Sequence, residues 1–149
     1  MKWIDIPPVW LIGALVIAWQ ISIARPFGLS LDFAVLQLAG GLLVGGGVIL
    51  MLLAFMEMRK QRTTVIPHSE ATTLVSSGIF KRSRNPIYLA DAMILTGFIL
   101  RWDAPLALVL IPVFIWIIER RFIVPEENML RRKFRADYAR YEQKTRRWV

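Results

Sequence analysis

The chain has 149 residues, 56% of them hydrophobic, yet carries 19 Lys and Arg against 11 Asp and Glu, a net charge of +8. Long apolar runs between cationic ends describe a membrane protein with basic aqueous faces, and argue against a nucleic-acid binder, whose cations would line a soluble face. With no cysteine and one histidine, His68, there is no disulfide framework, no thiolate nucleophile and no protein-only zinc site.

The first apolar run, residues 7–24, is long enough to cross a bilayer, for which roughly 20 residues are needed. Residues 9–19 followed by Ser22-Ile23-Ala24 also resemble a signal-peptide core with a cleavage site. The single Lys2, offset by Asp5, and the length of the run favour a retained anchor. The second run, 33–56, holds Gly40, Gly41, Gly45, Gly46 and Gly47. The Gly41-x-x-x-Gly45 spacing predicts a close helix contact within the bundle, a dimer face being the alternative. A polar loop, 57–86, follows. Its segment 72–80, TTLVSSGIF, reads as a turn with an accessible backbone that a ligand ring or ribose can exploit.

In KRSRNPIYLAD, 81–91, the cations mark the membrane edge, Pro86 opens a helix and Tyr88 suits the interface. Asp91 falls inside the next apolar run, where an ionisable group needs a partner or an aqueous cavity. The runs 87–100 and 104–119 are short and are joined only by Arg101-Trp102-Asp103, which predicts a tight helical hairpin. Each run is continuously apolar, so the fold class is all-α, with four transmembrane helices rather than a barrel.

Beyond residue 120 the chain turns cationic. Pro125 suits a first helical turn, with Glu126 and Glu127 at its positive end and an i,i+4 pair from Glu127 to Arg131. Leu130, Phe134, Tyr138 and Tyr141 then share one face, predicting a C-terminal amphipathic helix laid against an anionic leaflet. With four crossings, Arg25 and Arg101 fall on one side. Lys2, six cations in 57–86 and ten from residue 120 onward fall on the other. Both termini and the central loop are therefore expected to be cytoplasmic, as in a bacterial inner membrane, within a single membrane domain spanning 1–149.

Three elements in this order carry a resemblance: Leu74-Val75-Ser76-Ser77-Gly78-Ile79-Phe80, then Arg84-Asn85-Pro86-Ile87-Tyr88, then Glu126-Glu127-Asn128-Met129-Leu130 with Phe134-Arg135 and Tyr138-Ala139-Arg140-Tyr141. Over about residues 63–148 the chain resembles the isoprenylcysteine carboxyl methyltransferase and phospholipid methyltransferase family of integral membrane enzymes. Asn85 stands where that family usually has histidine, Phe80 where it has tyrosine and Arg135 where it has glycine. The resemblance implies S-adenosyl-L-methionine as methyl donor and a lipophilic, membrane-partitioned acceptor: a carboxylate, an amine or a thiol. It also implies a cofactor site bordered by Leu74, Val75, Gly78 and Phe80, lined by Asn85, Pro86 and Tyr88, and met at its polar end by Glu126 and Glu127, with no metal. Arg121 is the expected catalytic arginine that orients an anionic acceptor, with Arg84 as its alternative. Two other classes stay open from the residues alone: a small oligomeric transporter or channel, and a non-catalytic anchor binding anionic lipids through its basic tail. Oligomeric state is not legible.

Overall fold

The computed structural model describes residues 6–24, 28, 30, 33–61 and 74–149. Lys2, Asp5, Arg25, and residues 62–73 of the central loop, His68 among them, lie outside the described residues, and with them part of the charge pattern used for orientation.

The described residues form six α-helices and no strand: α1 Pro7–Ala24, α2 Ala34–Lys60, α3 Pro86–Arg101, α4 Leu110–Ile118, α5 Val124–Phe134 and α6 Ala136–Lys144. Two 3₁₀ turns, Gly78–Lys81 and Pro105–Val109, and a π-turn, Glu119–Ile123, complete them. α3 is the central element. Its Tyr88, Ala92, Leu95 and Ile99 fall on one helical stripe and pack with Ala18 of α1 and Phe114 and Ile118 of α4. The large apolar side chains left exposed lie on the outer helices, such as Ile12 and Ile23 on α1, Val35 and Leu42 on α2, and Val113 and Trp116 on α4. An apolar exterior around an interior holding glycines and an aspartate is what a hydrocarbon solvent selects, since lipid tails and leucines are equally apolar. α1 and α2 are long and apolar enough to cross a membrane.

The contact between α2 and α3 uses different glycines from those expected. A Cβ placed on Gly40 would lie 2.7 Å from the Gly97 carbonyl oxygen, and one on Gly97 would lie 2.5 Å from that of Gly40. Gly47 makes the same approach two turns on, 3.0 Å from the Ala90 carbonyl oxygen. Gly45 faces open space, and Gly41 meets only the Arg101 guanidinium, at 3.9 Å. The seven-residue spacing of Gly40 and Gly47 keeps both on the buried stripe, which the four-residue spacing of Gly41 and Gly45 misses.

The hairpin forms as expected. The Ala104 N–H donates to Ile99 O at 3.1 Å and the Asp103 N–H to Leu100 O at 3.3 Å, with Asp103 left-handed at φ 53°. This is a Schellman closure in which aspartate takes the place usually held by glycine. The Ser30 hydroxyl donates to Asp103 Oδ2 at 2.6 Å.

Two expectations for the C-terminal segment are corrected. Pro125 and both glutamates do fall in the first turn of α5, as expected, but that turn is not an open helix start: α4 runs through the π-turn directly into α5, and Ile123 and Val124 are already helical. The widened turn accommodates a proline ring that would otherwise meet the preceding turn, so the two glutamates do not sit at an open helix start. Nor is there one long amphipathic helix. Arg135 lies at φ 44°, ψ −111°, a region that glycine enters freely and other residues rarely, and the chain breaks there between α5 and α6. Leu130, Phe134, Tyr138 and Tyr141 consequently close on Ala54, Val75 and Phe80 of the protein itself, not on a leaflet. Replacing Arg135 by glycine removes this strain. Arg135→Gly is expected to stabilise the protein by about 1 kcal/mol, raising Tm in detergent by about 4 °C; an unchanged or lower Tm contradicts the strained turn.

Candidate active site

Where α3 begins, Pro86 occupies the first helical turn and is fully buried, which fixes the direction in which Tyr88 projects. The Tyr88 hydroxyl donates to Glu126 Oε1 at 2.5 Å, joining residues 38 apart in sequence. Tyr88 stacks on Phe122 from the π-turn, ring centroids 6.4 Å apart. Glu126 is half-buried, and burial pushes its carboxyl up to about 7, the neighbouring Glu127 charge adding to the rise and the Tyr88 hydrogen bond opposing it. No cation pairs with Glu126 among the described residues.

Glu127 has the opposite surroundings. It is buried, and Arg147 grips it with two hydrogen bonds, Nε to Oε2 at 2.9 Å and Nη2 to Oε1 at 2.7 Å. Arg84 Nη1 approaches the same carboxylate to 3.4 Å while donating to the Tyr138 hydroxyl at 3.1 Å and lying 3.5 Å from Glu142. The expected Glu127 to Arg131 pair is a long 3.9 Å, because Arg131 forks instead onto Glu142 at 2.8 and 3.0 Å. That hydrogen bonding holds the Glu142 carboxyl below its usual range. The kink at Arg135 is what returns α6 to this position.

The C-terminal residues form a strap along the segment before α3. The Arg84 N–H donates to Arg146 O at 3.0 Å, Asn85 Nδ2 to Arg147 O at 3.0 Å and Thr145 Oγ1 to Lys81 O at 3.3 Å. The Trp148 indole N–H donates to Glu119 Oε1 at 2.7 Å, tying the strap to the π-turn. Tyr141 donates to Phe80 O at 2.7 Å, and burial raises its phenol, so it remains a neutral donor.

The structure thus joins Asn85, Pro86, Tyr88, Glu126 and Glu127 around one end of α3. Val75 and Phe80 lie in the adjoining cluster under Tyr138 and Tyr141, with Leu74 packed against it. Gly78, at φ 58°, rests on Glu57, whose carboxylate oxygen would lie 2.6 Å from any Cβ placed there. That carboxylate also accepts from Ser77 Oγ at 2.5 Å. Arg121 stands apart: it is exposed, with its guanidinium 5.2 Å from the ring centre of Trp10 in α1. The alternative, Arg84, is locked in the ionic cluster. Arg147, Trp148, Glu142 and Glu119 also belong to this site and are not recognisable as such in the sequence. The one available signal was charge complementarity between the cationic end of the chain and the glutamates, which spacing alone does not resolve.

The donor set suits an organic cation. A carboxylate lacking a cationic partner, a phenol and a second aromatic face suit an ammonium or sulfonium, and no group of acids or histidines suited to a metal occurs among the described residues. No curated protein and no solved structure shows a significant match to the chain. Residues 35–137, from the start of α2 into α6, match the model of the phospholipid methyltransferase family. That match covers well over half of the chain and contains the Tyr88–Glu126 pair, the hairpin and both glutamates, and with it the chain belongs to the phospholipid methyltransferase family of membrane methyltransferases.

Proposed function

We propose that the protein transfers a methyl group from S-adenosyl-L-methionine to a lipid-soluble or membrane-partitioned acceptor entering sideways from the bilayer. The observation that carries this reading is Glu126, a half-buried carboxyl that, among the described residues, pairs only with the Tyr88 hydroxyl and meets no cation. The cofactor supplies a methyl group already activated on a positive sulfur. The protein's part is to bind that cation, exclude water and align donor with acceptor. Glu126 takes a positive group of the cofactor, Tyr88 and Phe122 offer ring faces, Asn85 and Pro86 shape the near wall, and Leu74, Val75, Gly78 and Phe80 border the nucleoside. Glu127 acts through Arg147 by fixing the strap that closes this wall. Arg121, exposed over Trp10, orients an anionic part of the acceptor at the surface. In this reading α3 and the segment 105–118 complete a four-span bundle in a bacterial-type inner membrane, with the site and both termini cytoplasmic.

Titrating the detergent-solubilised protein with S-adenosylhomocysteine tests this. Saturable binding at one site per chain is expected, unchanged in Arg140→Ala, and no binding at millimolar ligand overturns the reading. The pH dependence is signed. The carboxyl has to be ionised to attract the ligand's ammonium, and it ionises near 7. Affinity therefore weakens as pH falls from 8 to 5, by about tenfold per unit below the midpoint, and is level above it. For the free protein the same rise means that stability is highest with the carboxyl protonated and declines as pH climbs through 7. Calorimetric titrations at pH 6 and pH 8 measure the first effect, and Tm at the same two values the second.

A further inference from the structure

Near the end of α2, Glu57 brings a partly exposed carboxylate against the Gly78 turn, beside the segment that borders the proposed nucleoside site. Its Oε1 accepts from Ser77 Oγ at 2.5 Å, and Gln61 Nε2 donates to the same hydroxyl at 3.2 Å. Its other oxygen, Oε2, lies over Gly78, 2.6 Å from where a Cβ would stand. The left-handed backbone of that turn, φ 58°, is open to asparagine and aspartate as well as to glycine. The carboxylate pressed on the backbone is what leaves glycine alone there. Val75 and Phe80 stand on either side of the turn in the chain and pack with Ala54, about one turn before Glu57 on α2.

Nothing in the fold itself calls for a charge at this position. Glu57 lies in the last turn of α2, at the negative end of the helix, which favours cations such as Arg59 and Lys60 over an anion. Among the described residues no cation comes within ion-pair distance of it, and a neutral amide would serve Ser77 as well. The register along the bundle relates Glu57 to the other end of the site. Gly40 faces Gly97 and Gly47 faces Ala90, so that in this antiparallel pair Tyr88 is level with Ile49, and Glu57 stands about 12 Å further along the α2 axis.

We infer that Glu57 binds the two ribose hydroxyls of the cofactor, a vicinal diol donating to the paired oxygens of one carboxylate, with Ser77 giving way at Oε1. The inference rests on the methyltransferase reading above and names a holder for the one polar part of the nucleoside that the residues assigned so far leave without an acceptor. A diol presents two O–H donors side by side, and hydrogen bonds to an ionised acceptor are about twice as strong as those to a neutral one. Acidic side chains hold ribose hydroxyls in dinucleotide-binding folds by the same chemistry. The Ser77 hydroxyl already uses Oε1 as one member of such a diol would. The axial separation from Tyr88 suits a nucleoside extended from an amino-acid arm whose ammonium meets Glu126.

Calorimetric titration of the full-length protein in detergent, comparing S-adenosylhomocysteine with its 2′,3′-dideoxy analogue in wild type and Glu57→Gln, tests this. The glutamine carbonyl can still accept from Ser77, so the turn is expected to keep its place and Tm its value. Wild type should bind the dideoxy ligand about 30-fold more weakly than the parent, and Glu57→Gln should bind the parent about 30-fold more weakly than wild type does. In the variant the two ligands should bind within about fivefold of each other, because the hydroxyls have lost the group that distinguishes them. Wild type binding both ligands within threefold overturns the inference without recourse to any variant. So does Glu57→Gln keeping the parent's affinity within threefold, or weakening both ligands by the same factor, which marks Glu57 as a support for the turn. Failure of the wild type to bind S-adenosylhomocysteine at millimolar concentration is a separate outcome: it removes the methyltransferase reading and this inference with it.

Discussion

Glu126→Gln is expected to bind S-adenosylhomocysteine about 100-fold more weakly than wild type at pH 8, with no loss of thermal stability. The glutamine carbonyl can still accept the Tyr88 hydrogen bond that now measures 2.5 Å, so the junction between α3 and α5 is kept and only the charge is removed. The burial that pushes the Glu126 carboxyl up to about 7 makes that charge expensive in the free protein. Its removal therefore leaves Tm unchanged or slightly raised at pH 8, while the ligand loses its counter-charge. The variant should also lose the pH dependence of binding between 6 and 8, since the titrating group is gone. Comparing S-adenosylmethionine with S-adenosylhomocysteine in wild type and variant identifies which cation is met. An equal loss for both ligands assigns Glu126 to the ammonium that they share, and a larger loss for S-adenosylmethionine assigns it to the sulfonium. Glu126→Gln binding within threefold of wild type would sink the assignment.

What the sequence disclosed and what it hid divide along physical lines. Apolar run length and the Arg101-Trp102-Asp103 break made the helices and the hairpin legible, because both are local properties. The segments 74–80, 84–88 and 126–130 could be named together only by resemblance to a family. Composition offers no reason why Tyr88 should meet Glu126 across 38 residues. Periodicity misled where two solutions satisfy the same pattern. The stripe from Leu130 to Tyr141 reads equally well against lipid or against protein, and one backbone angle at Arg135 decides for protein. The glycine-rich face of α2 failed in the same way: Gly41 and Gly45 have the familiar spacing, yet Gly40 and Gly47 coincide with Gly97 and Ala90. Arg147 and Trp148 were out of reach, since a terminal strap bound by backbone carbonyls of Arg146 and Arg147 has no side-chain pattern to read.

Although adjacent in sequence, the two glutamates should separate cleanly by experiment, Glu127 governing stability where Glu126 governs affinity. Glu127 is 3% exposed and satisfies Arg147 through a two-pronged contact while facing Arg84, whose Nε is already buried without a partner. Glu127→Ala removes the carboxylate between two guanidinium groups, one of them largely buried, and leaves Arg84 only Glu142 at 3.5 Å and Arg147 only Glu119 at 3.8 Å. Removing one member of a buried ionic cluster typically costs about 3 kcal/mol or more. A drop in Tm of about 10 °C is therefore expected for a chain of this size. Arg147→Ala should be milder, about 1 kcal/mol, because the Arg147 side chain is 35% exposed and Glu127 keeps Arg84. The double variant should be more stable than the sum of the two single losses predicts, since the second substitution removes one of the two charges whose closest carboxylate the first took away. Either Glu127→Ala or Arg147→Ala should free the strap, so cleavage by a protease specific for arginine and lysine near Lys144 and Arg146 accelerates in both. If Glu127→Ala instead melts like wild type and loses only ligand affinity, the carboxylate belongs to the cofactor, and Arg147 is then the group that the ligand displaces.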